Sequence, residues 1–181
     1  KLEELLTEVR RRIEEVSRDL ERVLREVEED IKRTSDELDR VNRKVETEIK
    51  EVTERAEEKG VDRRDLKRLK DEVDKMSKES RDRNEKTIRE VRELLKRIRD
   101  ENRKSNEEVR RVEEDIKRKV RDEELVREVI ERLKELVKKD KKLVEDVLRE
   151  LKRLVDEDRK LVEDSLRRAK EIVDRARERV K

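Results

Sequence analysis

Two aspartates and two asparagines stand where a helical pattern calls for apolar side chains: Asp140 and Asp158, and Asn84 and Asn102. The members of each pair are eighteen residues apart, and hydroxyl pairs keep the same spacing: Ser17 with Ser35, Thr87 with Ser105. Thr34 takes the core phase of Val16. A carboxylate beside amide and hydroxyl groups admits two chemistries. It can contribute to a hard-cation or hydrolytic centre, or it can close an internal hydrogen-bond network. The spacing argues for the network. Each level of the chain supplies one acid, whereas hard cations gather several oxygen ligands. The two Asp lie about 27 Å apart along a helix, so they cannot act as a general acid and base on one substrate. With no His, no Cys and a single Gly, the chain offers no imidazole base, thiolate or glycine-rich phosphate cradle. No catalytic residue, metal or cofactor is expected.

The elements that must position these groups are legible in the repeat. From Glu124 onward the chain runs ELVREVIERLKELVKKDK, KLVEDVLRELKRLVDEDR and KLVEDSLRRAKEIVDRAR. Val9, Val27 and Val45 share one phase, Ile13, Ile31 and Ile49 another, and Val73, Val91 and Val109 continue the rhythm. Eighteen residues make five turns at 3.6 per turn, so the apolar stripe keeps its bearing along the helix. Gly60 suits the left-handed position after a helix end, with Lys59 at the negative terminus and Asp62 as the next cap. Asp122, followed by Glu123 and Glu124, marks a second restart. The reading is an all-α, long, nearly straight, antiparallel (up-down-up) three-helix bundle. It forms one domain over 1–181, with helices at about 2–58, 63–119 and 123–180.

Folding back near residue 60 and again near 121 places the polar residues at common levels. Ser17, Asn102, Ser105 and Asp140 form one, and Ser35, Asn84, Thr87 and Asp158 a second. A looser third joins Asn42, Ser77, Ser80 and Ser165. The third equivalents of the Asn and Asp pairs are Leu66 and Ala176, which penalise a slip by one repeat. A lone buried polar group costs roughly 1–3 kcal/mol, so residues placed this way are expected to pair across helices. Met76 reads as core filler.

Composition narrows the remaining classes. Charged residues make up 62% of the chain and hydrophobic ones 29%, sparse enough to suggest disorder were they not periodic and set among strong helix formers. Net charge is +2, and acids interleave with bases throughout, which disfavours nucleic acid or an anionic membrane as partner. Without Phe, Tyr or Trp there is no base-stacking platform. No run has the apolar length of a membrane span, and no targeting signal indicates a compartment. By segment, 1–60 carries net −5, 61–121 net +6 and 122–181 net +1, so the first two helices complement each other. The stripe of the first helix spans roughly 100° and that of the third roughly 140°. The wider face either lies in the groove of the other two helices or also meets another chain. A monomer needing no partner is the favoured expectation, with a homo-oligomer as the alternative.

The restricted alphabet, the strict repeats, the Gly60-Val61-Asp62 turn, the Asp122-Glu123-Glu124 start and the recurring Ser/Asn/Asp levels resemble de novo designed helical bundles. More narrowly, the chain is similar to parametric three-helix bundles carrying buried hydrogen-bond networks. That resemblance implies a stable scaffold or assembly building block without catalytic residues.

Overall fold

The computed structural model describes residues 2–119 and 123–181. It is an all-α three-helix bundle: α1 spans Leu2–Lys59, α2 Arg63–Lys119 and α3 Glu123–Val180. Leu, Lys, Arg and Glu supply helix propensity, and without Pro no backbone donor is missing inside an element. At the turn between α1 and α2, where both sides are described, α1 ends at Lys59 against an expected 58 and α2 starts at Arg63 as expected. Asp122, the expected cap of α3, lies outside the described residues.

The α1–α2 turn is built as its residue types dictate. Gly60 adopts φ +73, a conformation that costs any side chain with a Cβ. Its N–H donates to the Glu57 carbonyl at 3.3 Å and the Val61 N–H to the Ala56 carbonyl at 3.0 Å, the paired bonds of a Schellman ending. Val61 packs on the cluster that contains Ala56, completing the hydrophobic half of the motif. Asp62 then caps α2 by accepting the Arg64 N–H at 3.1 Å.

The structure divides into two compact units, one of residues 1–27 with 91–152 and one of 28–90 with 153–181. In the first, Leu6 and Val9 of α1 pack with Val109 and Ile116 of α2 and Leu133 of α3. In the second, Val45, Ile49 and Val52 meet Leu66, Val73 and Met76 of α2 and Ile172, Val173 and Ala176 of α3. The Lys59 ammonium donates to the Val180 carbonyl at 3.2 Å, and Arg179 pairs with Asp65 at 2.7 Å, so the end of α3 is tied beside the turn.

The wide stripe of α3 is used differently in the two units. In the first, Leu125, Leu136 and Leu143 stay 59%, 36% and 42% exposed. In the second, Leu154, Ile172 and Leu161 occupy the same helical phases and are 3%, 1% and 8% exposed. The opposite edge reverses this: Ile130 is buried in the first unit, and its phase-mate Leu166 is exposed in the second. Two lean neighbouring stripes cover only part of a 140° arc, so each unit leaves out one edge.

The Gly60 geometry gives a direct expectation. No atom stands within 4 Å of where a Cβ would be, so Gly60→Ala should cost only the left-handed backbone penalty, about 1 kcal/mol in urea denaturation. Gly60→Asn should cost less, because Asn tolerates that region. Equal stability of Gly60→Val and the parent would show that the turn does not hold this conformation.

Candidate functional site

The polar groups inside the bundle are the only candidates for chemistry that the sequence raises, and their placement decides what they can do. In the second unit Asn84 and Asp158 are both buried, and the Asn84 amide nitrogen lies 3.0 Å from each carboxylate oxygen of Asp158. The half-buried Ser35 donates its hydroxyl proton to the Asn84 carbonyl oxygen at 3.1 Å. One chain of hydrogen bonds thus joins α1, α2 and α3. Burial pushes the Asp158 carboxyl above its ordinary range, and the bond from Asn84 pulls part of the way back.

The equivalent level in the first unit is assembled differently. Asn102 and the Ser17 hydroxyl lie 3.5 Å apart, and Asn106 donates to Ser17 at 3.3 Å. The hydrogen-bond partner of Asp140 is Ser105, not Asn102. A cavity of about 40 Å³ is lined by Asn102, Ser105, Asn106 and Asp140 together with apolar neighbours such as Val109 and Val137. Such a space is large enough to hold water between polar partners. Desolvation raises the Asp140 carboxyl, opposed by the bond from Ser105 and reinforced by the charge of Glu101.

At the third level Asn42 donates to the Ser80 hydroxyl at 3.2 Å, and Ser80 donates to the Ser77 carbonyl at 3.0 Å. The Asn42 carbonyl oxygen and the Ser77 hydroxyl are buried without a partner. Ser165 is buried, but no hydrogen bond ties it to these residues, so α3 is not joined at this level. Thr87 bonds the Arg83 carbonyl of its own helix at 3.1 Å, and Thr34 does the same with Asp30 at 2.8 Å. A helical Thr reaches its i−4 carbonyl without needing a partner helix, which removes both from any cross-helix network.

Two participants were not anticipated from the sequence. Asn106, one turn beyond Asn102, reaches the same serine. Glu113 is buried, with one oxygen 2.7 Å from the Arg10 guanidinium and the other without a partner. The signal for Glu113 was available, since it shares the core phase of Leu95 and Ser77. Its charge obscured that position in a chain where most residues are charged.

Chemically, none of this converges on a reacting centre. Among the described residues no group of three or more acids gathers as a metal site, and no helix is long and apolar enough to cross a membrane. The Asp140 and Asp158 levels each present one carboxylate facing neutral donors, and the Asn42 level presents none, an arrangement suited to mutual satisfaction.

Two measurements follow from this geometry. Glu113→Leu should be neutral or stabilise by about 1–4 kcal/mol, because it replaces a half-satisfied buried charge with the side chain its phase-mate already carries. Arg10→Ala should instead destabilise by about 1–3 kcal/mol by stranding that carboxylate. Equal effects of the two would separate Arg10 from Glu113.

The pH dependence has a definite sign. A carboxyl whose pKa is raised on folding binds its proton more tightly in the native state. It therefore lowers stability at neutral pH, and that cost fades as pH falls through the raised value toward the ordinary one. Asp158→Asn should accordingly be most favourable relative to the parent near pH 7 and lose that advantage in acid. A stability difference that does not vary with pH would show the carboxyl to be no more desolvated than in the unfolded chain.

Comparison with protein-family models, with curated protein sequences and with solved structures finds no match to this chain.

Proposed function

We propose that this chain is a structural scaffold of designed origin, without catalytic activity, whose buried polar levels fix how its helices meet. The observation that carries the reading is the Ser35–Asn84–Asp158 chain, which spans three helices at positions whose repeat equivalents include Leu66 and Ala176. Apolar residues fit those phases, so the polar set costs burial and contributes specificity instead: a rotated or displaced helix strands an amide or a carboxylate in the core. The regular helices and the capped turn also support a thermostable fold, for which helical circular dichroism persisting to about 90 °C is the expectation.

A second reading, as a self-assembly or helix-binding module, is favoured by one specific observation. Among the described residues the four exposed large hydrophobic side chains, Leu125, Leu136, Leu143 and Leu166, all lie on α3. The two readings are compatible, since a scaffold with a fixed core can present an apolar edge.

The scaffold reading is tested by dissecting the second polar level. Asn84→Leu should destabilise by about 1–3 kcal/mol, because the buried Asp158 loses its donor. Asp158→Leu should be neutral or stabilising. Asn102→Leu, whose partner is a half-buried serine, should change stability least. If Asn84→Leu and Asp158→Leu stabilise equally in denaturant titrations, the level is not a paired unit and the reading fails.

A further inference from the structure

The exposed edge of α3 in the first unit borders a groove with a definite charge pattern. The groove runs between α2 and α3, has a volume of about 550 Å³, and is floored by residues such as Val112, Ile116, Val129 and Leu133. Leu125 and Leu136 stand on its α3 wall, and Leu143 continues their line within about 20° on the helical wheel. Acids mark the α2 lip: Glu108 and Asp115 line the groove, with Glu101 one pair of turns before them. Bases mark the α3 lip, with Arg132 in the groove wall and Lys139 two turns on. α2 and α3 run antiparallel here, so Arg132 is level with the gap between Glu108 and Asp115, and Lys139 with that between Glu101 and Glu108. Among the described residues none of Glu108, Asp115, Arg132 and Lys139 forms an ion pair.

We propose that this groove is the interface for a second copy of the chain, related by a two-fold axis parallel to the helices. That operator sets the α2 lip of each copy against the α3 lip of the other and keeps their levels. The groove-lining acids Glu108 and Asp115 of each copy then face Arg132 of the other, with Glu101 and Lys139 farther along the same lips, and the exposed leucines of both copies meet between them. A two-fold axis perpendicular to the helices would bring acid against acid, so the charge pattern selects the parallel one. Both grooves of a pair are used at once, which closes the assembly at two chains. The surface rests on the self-assembly reading above and specifies its partner and site.

The test uses the full chain and sedimentation equilibrium. The parent should show twice the 22.2 kDa chain mass at tens of micromolar. Leu136→Glu/Leu143→Glu, with helicity checked by circular dichroism, should raise the dissociation constant at least about 100-fold, because two apolar anchors are replaced by charges. Charge reversal reads the geometry independently of folding. An α2-lip variant, Glu101→Lys/Glu108→Lys/Asp115→Lys, and an α3-lip variant, Arg132→Glu/Lys139→Glu, should each be monomeric alone. Mixed one to one, they should form a heterodimer, since every lip again faces its opposite. A monomeric parent at hundreds of micromolar overturns both this interface and the self-assembly reading. A dimer that is indifferent to these substitutions but abolished by Leu166→Glu keeps self-assembly and rejects this groove. Charge-reversed variants that fail to pair with each other while the parent dimerises reject the parallel two-fold arrangement.

Discussion

Everything in this molecule depends on burying a sparse apolar stripe along helices that are otherwise charged. Fewer than a third of the side chains are hydrophobic, none is aromatic, and no disulfide reinforces the fold. An isolated helix draws little stability from propensity alone, so each must place its stripe against its neighbours. The 3.6-residue period makes that feasible, because it keeps Val9, Val109 and Leu133 on faces that meet. The same economy explains why the turn at Gly60 is so completely specified. With few apolar contacts per turn of helix, the left-handed glycine, the Val61 contact and the Asp62 cap each remove an alternative path for the chain.

Polar residues in such a core strengthen or weaken it according to how fully they are paired. Ser35, Asn84 and Asp158 form a continuous chain in which each buried group has a partner. Asn42, Ser77 and Ser80 are only partly satisfied, and Glu113 is held by Arg10 through one oxygen alone. These sites differ in consequence as well as in geometry. A paired level penalises rearrangement, whereas a half-paired one mainly subtracts stability. The three-residue turn between α1 and α2 already limits axial displacement, so the added value of the Asn84 level lies in the rotational setting of the helices and the choice of which faces meet.

The breadth of α3 ties core packing to surface chemistry. A 140° stripe exceeds what two narrower neighbours cover, so one edge is left out in each unit: Leu125, Leu136 and Leu143 in the first, Leu166 in the second. In the first unit that edge borders the groove between α2 and α3, where the proposed second copy would turn a packing surplus into an interface. Core and surface are therefore two uses of one repeat.

The three helices and their ends were legible in the sequence because period and capping are local properties: Gly60 needs its φ, Asp62 needs the free N–H groups, and eighteen residues close five turns in any context. Much of the second polar level was legible too, since the turn fixes which residues share a height, and Asn84 does meet Asp158 and Ser35. Height alone does not determine partners. Asn102 and Asp140 share a level as Asn84 and Asp158 do, yet Asp140 bonds Ser105 and a cavity is lined by both, because a hydrogen bond needs side chains to converge within about 3 Å and helix rotation sets that. Rotation also chose which edge of α3 each unit buries. The sequence by itself determined the helices, their boundaries and the heights at which polar groups stand. The tertiary structure decided the partners and the exposed faces, because those depend on a few degrees of rotation that an unvarying repeat does not encode.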